Sequence, residues 1–290
     1  MTAAVTPVNR LRALLSEPRL LPMPCCFDAL SARLIERAGF ELTFMSGFAV
    51  AAARLGLPDT GLISYAEMLD QGRDVCAAVD LPVIGDADTG YGNAVNVKRT
   101  VRGYARAGFA CAMIEDQLAP KRCGHTRGKQ VVDRAEASAR LRAAVDARDE
   151  GADLLIMART DAIATHGLDE ALWRTKAFAD LGADLIFVEG PRTEDEMAAV
   201  CAAVDRPCVA NLVEGGDTPL LPPARLEDLG YKIACYPLTL LSATAKAMES
   251  ALAALKAGGE HPHGLLMPFK ELQERVGFPA YDAESERYRH

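Results

Sequence analysis

RAGFELTF (37–44), RAGFACAM (106–113), EGADLLIM (150–157), LGADLIFV (181–188) and LGYKIACY (229–236) are five versions of one phrase. Each leads a helical segment through a glycine and straight into an apolar run. Glycine takes the left-handed conformation that closes a helix at its C-terminal end. The runs that follow are continuous rather than alternating, which suits strands covered on both faces, as in a parallel sheet. Counting outward from these phrases, strands are expected at 20–24, 41–47, 81–88, 109–116, 153–160, 184–190, 207–212 and 231–236. Segments with helical spacing lie between them, such as DALSARLIERAG (28–39) and AEASARLRAAVDAR (135–148). Eight strands alternating with helices predict a (β/α)8 barrel of the TIM type. A doubly wound open sheet is the structural alternative, but no G-x-G-x-x-G opens a helix after the first strand.

The alternation stops near residue 257. GGEHPHG (258–264) reads as a linker, LLMPFKELQERVGF (265–278) as one more amphipathic helix, and DAESERYRH (282–290) as a polar tail. The expected organisation is a catalytic barrel over 1–257, with 258–290 as an extension of the same domain. The length of 290 residues fits one barrel-sized domain. A net charge of -8 argues against nucleic acid or an anionic membrane as the main partner. No apolar run approaches the roughly 20 residues of a membrane span, and MTAAVTPVNRLRALLSEP (1–18) lacks the pattern of a secretion signal. The eight cysteines form no C-x-x-C pair, which argues against zinc and iron–sulfur sites. Most fall in apolar runs, as small buried hydrophobes do. A reduced, cytoplasmic protein is expected.

In a barrel of this kind the active site lies at the C-terminal ends of the strands. Polar residues gather there: Ser46-Gly47 after the second strand, Asp86 and Asp88 at the third, Glu115 at the fourth, Arg159 at the fifth, Glu189 at the sixth and Asn211 at the seventh. Two carboxylates two residues apart on a strand face one side and repel, and a hard divalent cation resolves that repulsion. Asp59 and Glu115 join them from neighbouring loops, and few direct ligands plus waters is the habit of Mg²⁺. Helix capping and turn chemistry is the alternative use of the D-x-D pair. Arg159 suits bidentate recognition of a carboxylate or phosphate. Backbone N–H groups around Ser46-Gly47 and the amide of Asn211 offer further donors. The substrate implied is a small polyanion. PKRCGHTRGK (120–129) adds four cations around Cys123 on an otherwise acidic chain. Lys121, Arg122 and His125 would lower the thiol pKa.

Taken together, FMSG, DADTGYGN, IEDQ, PKRCGH, ARTDA, VEG and YPLT resemble the isocitrate lyase and phosphoenolpyruvate mutase superfamily over residues 20–255. The Cys-Gly-His pattern is that of its carbon–carbon lyase branch. SGFAVAAARLGLPDTGL, CGHTRGK and NLVEGGDTPL are most similar to the 2,3-dimethylmalate lyase, petal death protein and oxaloacetase group, with methylisocitrate lyase also near. The resemblance implies cleavage of the C2–C3 bond of a 2-hydroxy dicarboxylate, with Mg²⁺ or Mn²⁺ as cofactor. It implies that Asp86 ligates the metal directly and that Asp59, Asp88 and Glu115 hold its waters. Ser46, Gly47 and Arg159 would bind the C2 half of the substrate and Gly124, His125 and Asn211 the other carboxylate, with Phe48, Glu189 and Pro237 also in the substrate site. Cys123 would donate a proton from a mobile loop whose cations Lys121 and Arg122 attract the dicarboxylate. A homotetramer with C-terminal helices swapped between paired subunits is also implied.

Two positions depart from parts of the family. Phe44 stands where isocitrate and methylisocitrate lyases place a tyrosine, as it does in the dimethylmalate group, and this leaves the general base unassigned. A metal-activated water held by Asp88 or Glu115 is one alternative. Pro237 stands where oxaloacetase-type members carry a serine, and proline has no side-chain donor for a hydrated keto group.

Overall fold

Eight parallel strands close into a barrel in chain order. The structure, a computed structural model, describes residues 6–124, 126, 128–258 and 263–289. Two compact units divide the chain, Met1–Thr239 and Leu240–His290. The barrel belongs to the first. Its strands are β1 (Leu21–Cys26), β2 (Thr43–Met45), β3 (Val83–Asp86), β4 (Cys111–Glu115), β5 (Leu155–Thr160), β6 (Leu185–Val188), β7 (Cys208–Asn211) and β8 (Tyr231–Tyr236). Helix α1 (Pro7–Ser16) precedes them. Between strands run α2 (Ala29–Arg37), α3 (Gly47–Val50), α4 (Tyr65–Ala78), α5 (Ala94–Ala107), α6 (Arg134–Asp149), α7 (Ala162–His166), α8 (Leu168–Asp180), α9 (Glu194–Ala202) and α10 (Pro223–Asp228). Helix α11 (Thr239–Lys256) leads into the second unit, which continues through α12 (Phe269–Val276) and α13 (Phe278–Glu286). Among the described residues, no helix is long and apolar enough to cross a membrane.

The five phrases do what their glycines imply. Gly39, Gly108, Gly151, Gly182 and Gly230 all have φ between 86° and 110°, where a side chain would be strained. Each turns a helix end into the next strand. The expected strands coincide with the observed ones but overrun most of them at the ends, because polar and glycine residues continue the motif after the ladder has stopped. Asp88 is the instructive case. It lies past the end of β3 with φ of 48°, so it is not a second in-line strand residue beside Asp86. The expected polar tail also differs. Pro279 in the first turn, with its fixed φ, starts α13 directly after Gly277 closes α12.

Inside the barrel, Leu21, Met23, Phe44, Ile84, Met113 and Met157 belong to one buried cluster with Val8, Leu11 and Leu14 of α1. The first helix is thus a plug at the N-terminal ends of the strands, where Arg10 donates to the Asp80 carbonyl at 2.6 Å. Cys25, Cys111 and Cys235 are part of the same core and are free thiols. Strand β1 carries Pro22 and Pro24. It pairs with β8 at four positions, Leu21 through Pro24, but with β2 only at Cys25 and Cys26. The Thr43 hydroxyl donates to the Pro24 carbonyl at 2.9 Å.

Leu11 has no exposed surface. Leu11→Ala is expected to lower the unfolding free energy by about 2–5 kcal/mol in urea denaturation. The site lies at the opposite end of the barrel, so KM should stay unchanged.

Candidate active site

Side chains two apart on a strand share a face. Each inward apolar residue is therefore followed, two positions on, by one that rises above the core. Phe44 leads to Ser46, Ile84 to Asp86, Met113 to Glu115, Met157 to Arg159, Phe187 to Glu189 and Val209 to Asn211. A small cavity, partly open to solvent, lies at this level. Ser46, Phe48, Asp59, Asp86, Arg159, Glu189, Asn211 and Pro237 line it from the barrel side, and Lys121, Arg122, Cys123 and Gly124 from the loop after β4. Asp88 and Glu115 are buried behind these residues. His125 lies outside the described residues. Phe44, Met113, Phe187, Val213, Cys235 and Leu238 complete the wall. Apart from Phe44, sequence reasoning gave these apolar residues no role, although the same period-two pattern points to those on the strands.

The acids are held by specific partners. Asp86 Oδ2 accepts the Gly47 N–H at 3.1 Å and Oδ1 accepts the Asp88 N–H at 3.2 Å. A side chain at Gly47 could not fit, since a Cβ there would stand 2.6 Å from Asp86 Oδ2. The Tyr104 hydroxyl donates to the Asp86 carbonyl at 2.7 Å. Burial, and then the Asp88 charge, pushes the Asp86 carboxyl up to about 6. Lys121 is buried with its ammonium 2.5 Å from Asp59 and 2.8 Å from Asp88. Burial works against that charge, but Asp88, Asp86 and Asp59 outweigh it and hold the lysine well above its ordinary value. Part of the repulsion assigned from sequence to a metal is therefore met by Lys121. Its charge is committed to these carboxylates rather than standing free on the loop.

Arg159 is held on three sides. Its Nε and Nη2 donate to Asp161 at 2.8 and 3.1 Å, and Nη2 also pairs with Glu189 at 3.1 Å. Glu115 Oε2 is 3.4 Å from Nε. Burial would raise Asp161, but Arg159 and Lys129 hold its carboxyl down to about 2. The Asn211 amide donates to both oxygens of Glu189 at 3.2 and 3.1 Å. Two donors expected from sequence to face a substrate, Gly47 N–H and Asn211 Nδ2, thus serve Asp86 and Glu189, because a buried donor takes the nearest acceptor. Ser46 caps α3, its hydroxyl accepting from the Ala49 N–H. In the loop, Cys123 N–H donates to the Asp59 carbonyl at 3.1 Å. Gln117 holds both the N–H and the carbonyl of Arg122 at 2.9 Å.

A second layer was not foreseen. Asp116 accepts from the Thr160 hydroxyl at 2.6 Å, the Asp161 N–H at 3.0 Å and Arg174 Nη1 at 3.0 Å. Arg174 is buried and also bonds Glu170 and the Val132 carbonyl, each at 2.8 Å. This network fixes Asp161, which fixes Arg159. Asp116 and Asp161 both stand in phrases singled out from sequence, IEDQ and ARTDA, and each follows an apolar strand. That was the available signal.

The donor set fits a hard cation. Among the described residues, no three His, Cys, Asp or Glu side chains converge at the spacing of direct metal ligands. Mg²⁺ needs few of them and keeps several waters. Asp86 retains lone pairs beyond its two N–H bonds. Glu115 Oε1 is buried without a hydrogen-bond partner among the described residues, an atom that a metal-held water would satisfy. Burial pushes the Glu115 carboxyl well up against the pull of Arg159. Lys121 alone does not balance Asp59, Asp86 and Asp88.

Residues 11–256 match the family described as phosphoenolpyruvate phosphomutase. A 2,3-dimethylmalate lyase of Eubacterium barkeri is 46% identical over 247 residues, 85% of each chain. A probable 2-methylisocitrate lyase of Corynebacterium glutamicum is 46% identical over 255 residues, 87% of this chain and 82% of that one. Among solved structures, a phosphonopyruvate hydrolase in complex with oxalate and Mg²⁺ superposes with a TM-score of 0.87 at 31% identity, covering 98% of this chain and 99% of the other.

Arg174 and Asp116 have 2% and 1% of their side-chain surface exposed. Removing one member of a buried ion pair strands the other charge. Arg174→Met is therefore expected to cost about 3–5 kcal/mol of unfolding free energy. The double variant with Asp116→Asn should recover part of that loss in the same denaturation measurement.

Proposed function

The chain belongs to the phosphoenolpyruvate mutase/isocitrate lyase superfamily and is a lyase of it, and on that premise we propose that it cleaves the C2–C3 bond of a 2-alkylmalate. The first choice is 2,3-dimethylmalate, giving pyruvate and propionate. One observation carries the reading: Asp86, Arg159 and Cys123 line the same small cavity, so a cation site, a carboxylate clamp and an acid face one substrate. Asp86 would hold Mg²⁺ directly, with Asp59, Asp88 and Glu115 on its waters. When bound, the ion supplies Lewis-acid stabilisation of charge at the C2 oxygen as that oxygen becomes a carbonyl.

The protein's own groups do the rest. Arg159, oriented by Asp161, binds the carboxylate on C2. Loop residues around Gly124 and the polar Asn211 side face the carboxylate on C3. When the C2–C3 bond breaks, its electron pair stays with C3 and delocalises into that carboxylate. The Cys123 thiol gives its proton to C3, which completes propionate, and the proton of the C2 hydroxyl leaves to a base. Phe48, Val213 and Leu238 give the wall its apolar part, which favours an alkyl substituent on C3 over the extra carboxylate of 2-methylisocitrate. Pro237 in the wall has no donor for a hydrated keto group, which places oxaloacetate hydrolysis behind both.

Release of pyruvate from 2,3-dimethylmalate and 2-methylisocitrate, and of oxalate from oxaloacetate, each with Mg²⁺ and with chelator, tests the reading. Pyruvate from dimethylmalate, lost with chelator, is expected. Turnover of oxaloacetate alone, or turnover indifferent to chelator, overturns it. Cys123→Ser should leave the circular dichroism and melting temperature unchanged and lower kcat by roughly 10²–10⁴-fold. Full activity in that variant removes Cys123 from the mechanism.

A further inference from the structure

The segment after β4 leaves the barrel at Gln117 and returns at Val131. These two residues form an antiparallel bridge, and Leu118 N–H donates to the Gln130 carbonyl at 2.8 Å. Near the end of this excursion, Lys129 turns its side chain inward. Its ammonium donates to Asp161 Oδ1 at 2.9 Å and to the Gly124 carbonyl. Only 5% of the lysine side chain and none of the aspartate side chain is exposed. An ammonium on a surface excursion has water within reach, and burying it costs free energy unless it is paired and hydrogen-bonded. Here both partners lie in the site. Asp161 is the carboxylate that holds Nε and Nη2 of Arg159. Gly124 is the neighbour of Cys123 and is pressed onto the Arg159–Glu189 pair. A Cβ at Gly124 would stand 2.3 Å from Glu189 Oε2 and 2.5 Å from Arg159 Nη2.

We propose that Lys129 is a positioning residue: it ties the loop backbone at Gly124 to the carboxylate that orients Arg159, and so sets Cys123 against the substrate clamp. The proposal rests on the reading of Cys123 as proton donor. One carboxylate then controls both halves of the reaction, the grip on the C2 carboxylate and the placement of the acid. Other contacts stitch the loop, such as Gln117 to Arg122. That pair closes the loop on itself, and Lys121 and the Cys123 N–H bind it to Asp59 and Asp88 after β2 and β3, whereas Lys129 joins it to the strand end that carries Arg159. Asp161 keeps its bonds to Arg159 when Lys129 is neutralised, so the substrate clamp survives the change.

The test uses the full chain with Lys129→Met. The rate at which iodoacetamide alkylates Cys123, followed by peptide mass spectrometry without substrate, reports loop position independently of turnover. It should rise about tenfold or more once the charged tie is lost, while the rates at Cys76 and Cys201 stay unchanged. On the substrate that the wild type cleaves, kcat should fall with KM nearly constant, since ground-state binding by Arg159 is kept. Labelling of Cys123 at the wild-type rate in a folded variant overturns the proposal, whatever the kinetics. If Lys129→Met does not fold, Lys129→Gln, neutral but still a donor, is judged by the same criterion. Faster labelling in the variant, with a wild type inactive on all three substrates, would refute the 2-alkylmalate reading and leave the tie standing. An active wild type with unaltered labelling in the variant would do the reverse.

Discussion

A closed parallel barrel gives each strand one inward face, and every second side chain must use it. The whole architecture follows from that constraint. Lower inward positions are apolar and fill the interior together with α1. The next inward position, above the packed layers, is where a charge can be tolerated, because it meets charges from the neighbouring strands. Glu115 and Arg159 are register partners on β4 and β5, so an acid and a base arrive side by side through strand pairing alone. Glu189 and Asn211 complete the same ring from β6 and β7.

Such a ring is stable only if its charges are balanced at short range, since unpaired charge in a low-dielectric interior is costly. The structure meets this with two cationic centres. Lys121 stands among the acids near β3, and Arg159 among those on β4 to β6. Both carry raised pKa values against the effect of burial, which means that the surrounding carboxylates are the stronger influence. The acidic surplus near Asp86 and the orphaned oxygen of Glu115 are what remains after this balancing. The cation and anionic ligand proposed above would complete that balance.

Much of this was legible in the chain. The glycine phrases counted the strands, and the period of two put Ser46, Asp86, Glu115, Arg159, Glu189 and Asn211 at one end. What was not legible depends on contacts far apart in sequence. That Lys121 faces Asp59 and Asp88, or that Arg174 reaches Asp116 across 58 positions, leaves no trace in local pattern. Arg174 offered one hint, a charged residue on the helix face shared with Ala171 and Phe178. Asp88 was misplaced because DADTG reads as strand up to its glycine, while the backbone turns left-handed one residue after Ala87. The plug formed by α1 was missed because VNRLRALL has the spacing of any amphipathic helix, and spacing does not say which surface receives it.

The prolines of β1 have a topological consequence. Pro22 and Pro24 share parity with Cys26, whose carbonyl accepts the Ser46 N–H, so their missing N–H groups face β2 and not β8. The cylinder is therefore zipped tightly along one edge of its first strand and only partly along the other. Around this seam the wall is held by buried side chains and one threonine hydroxyl rather than by a full ladder. The barrel has, in effect, a start and an end, like a sheet rolled until its margins overlap. The margins are paired only at Cys25 and Cys26, level with Phe44 and Met45, so the least knitted part of the wall lies toward the α1 plug and the seam is closed where it nears the cavity.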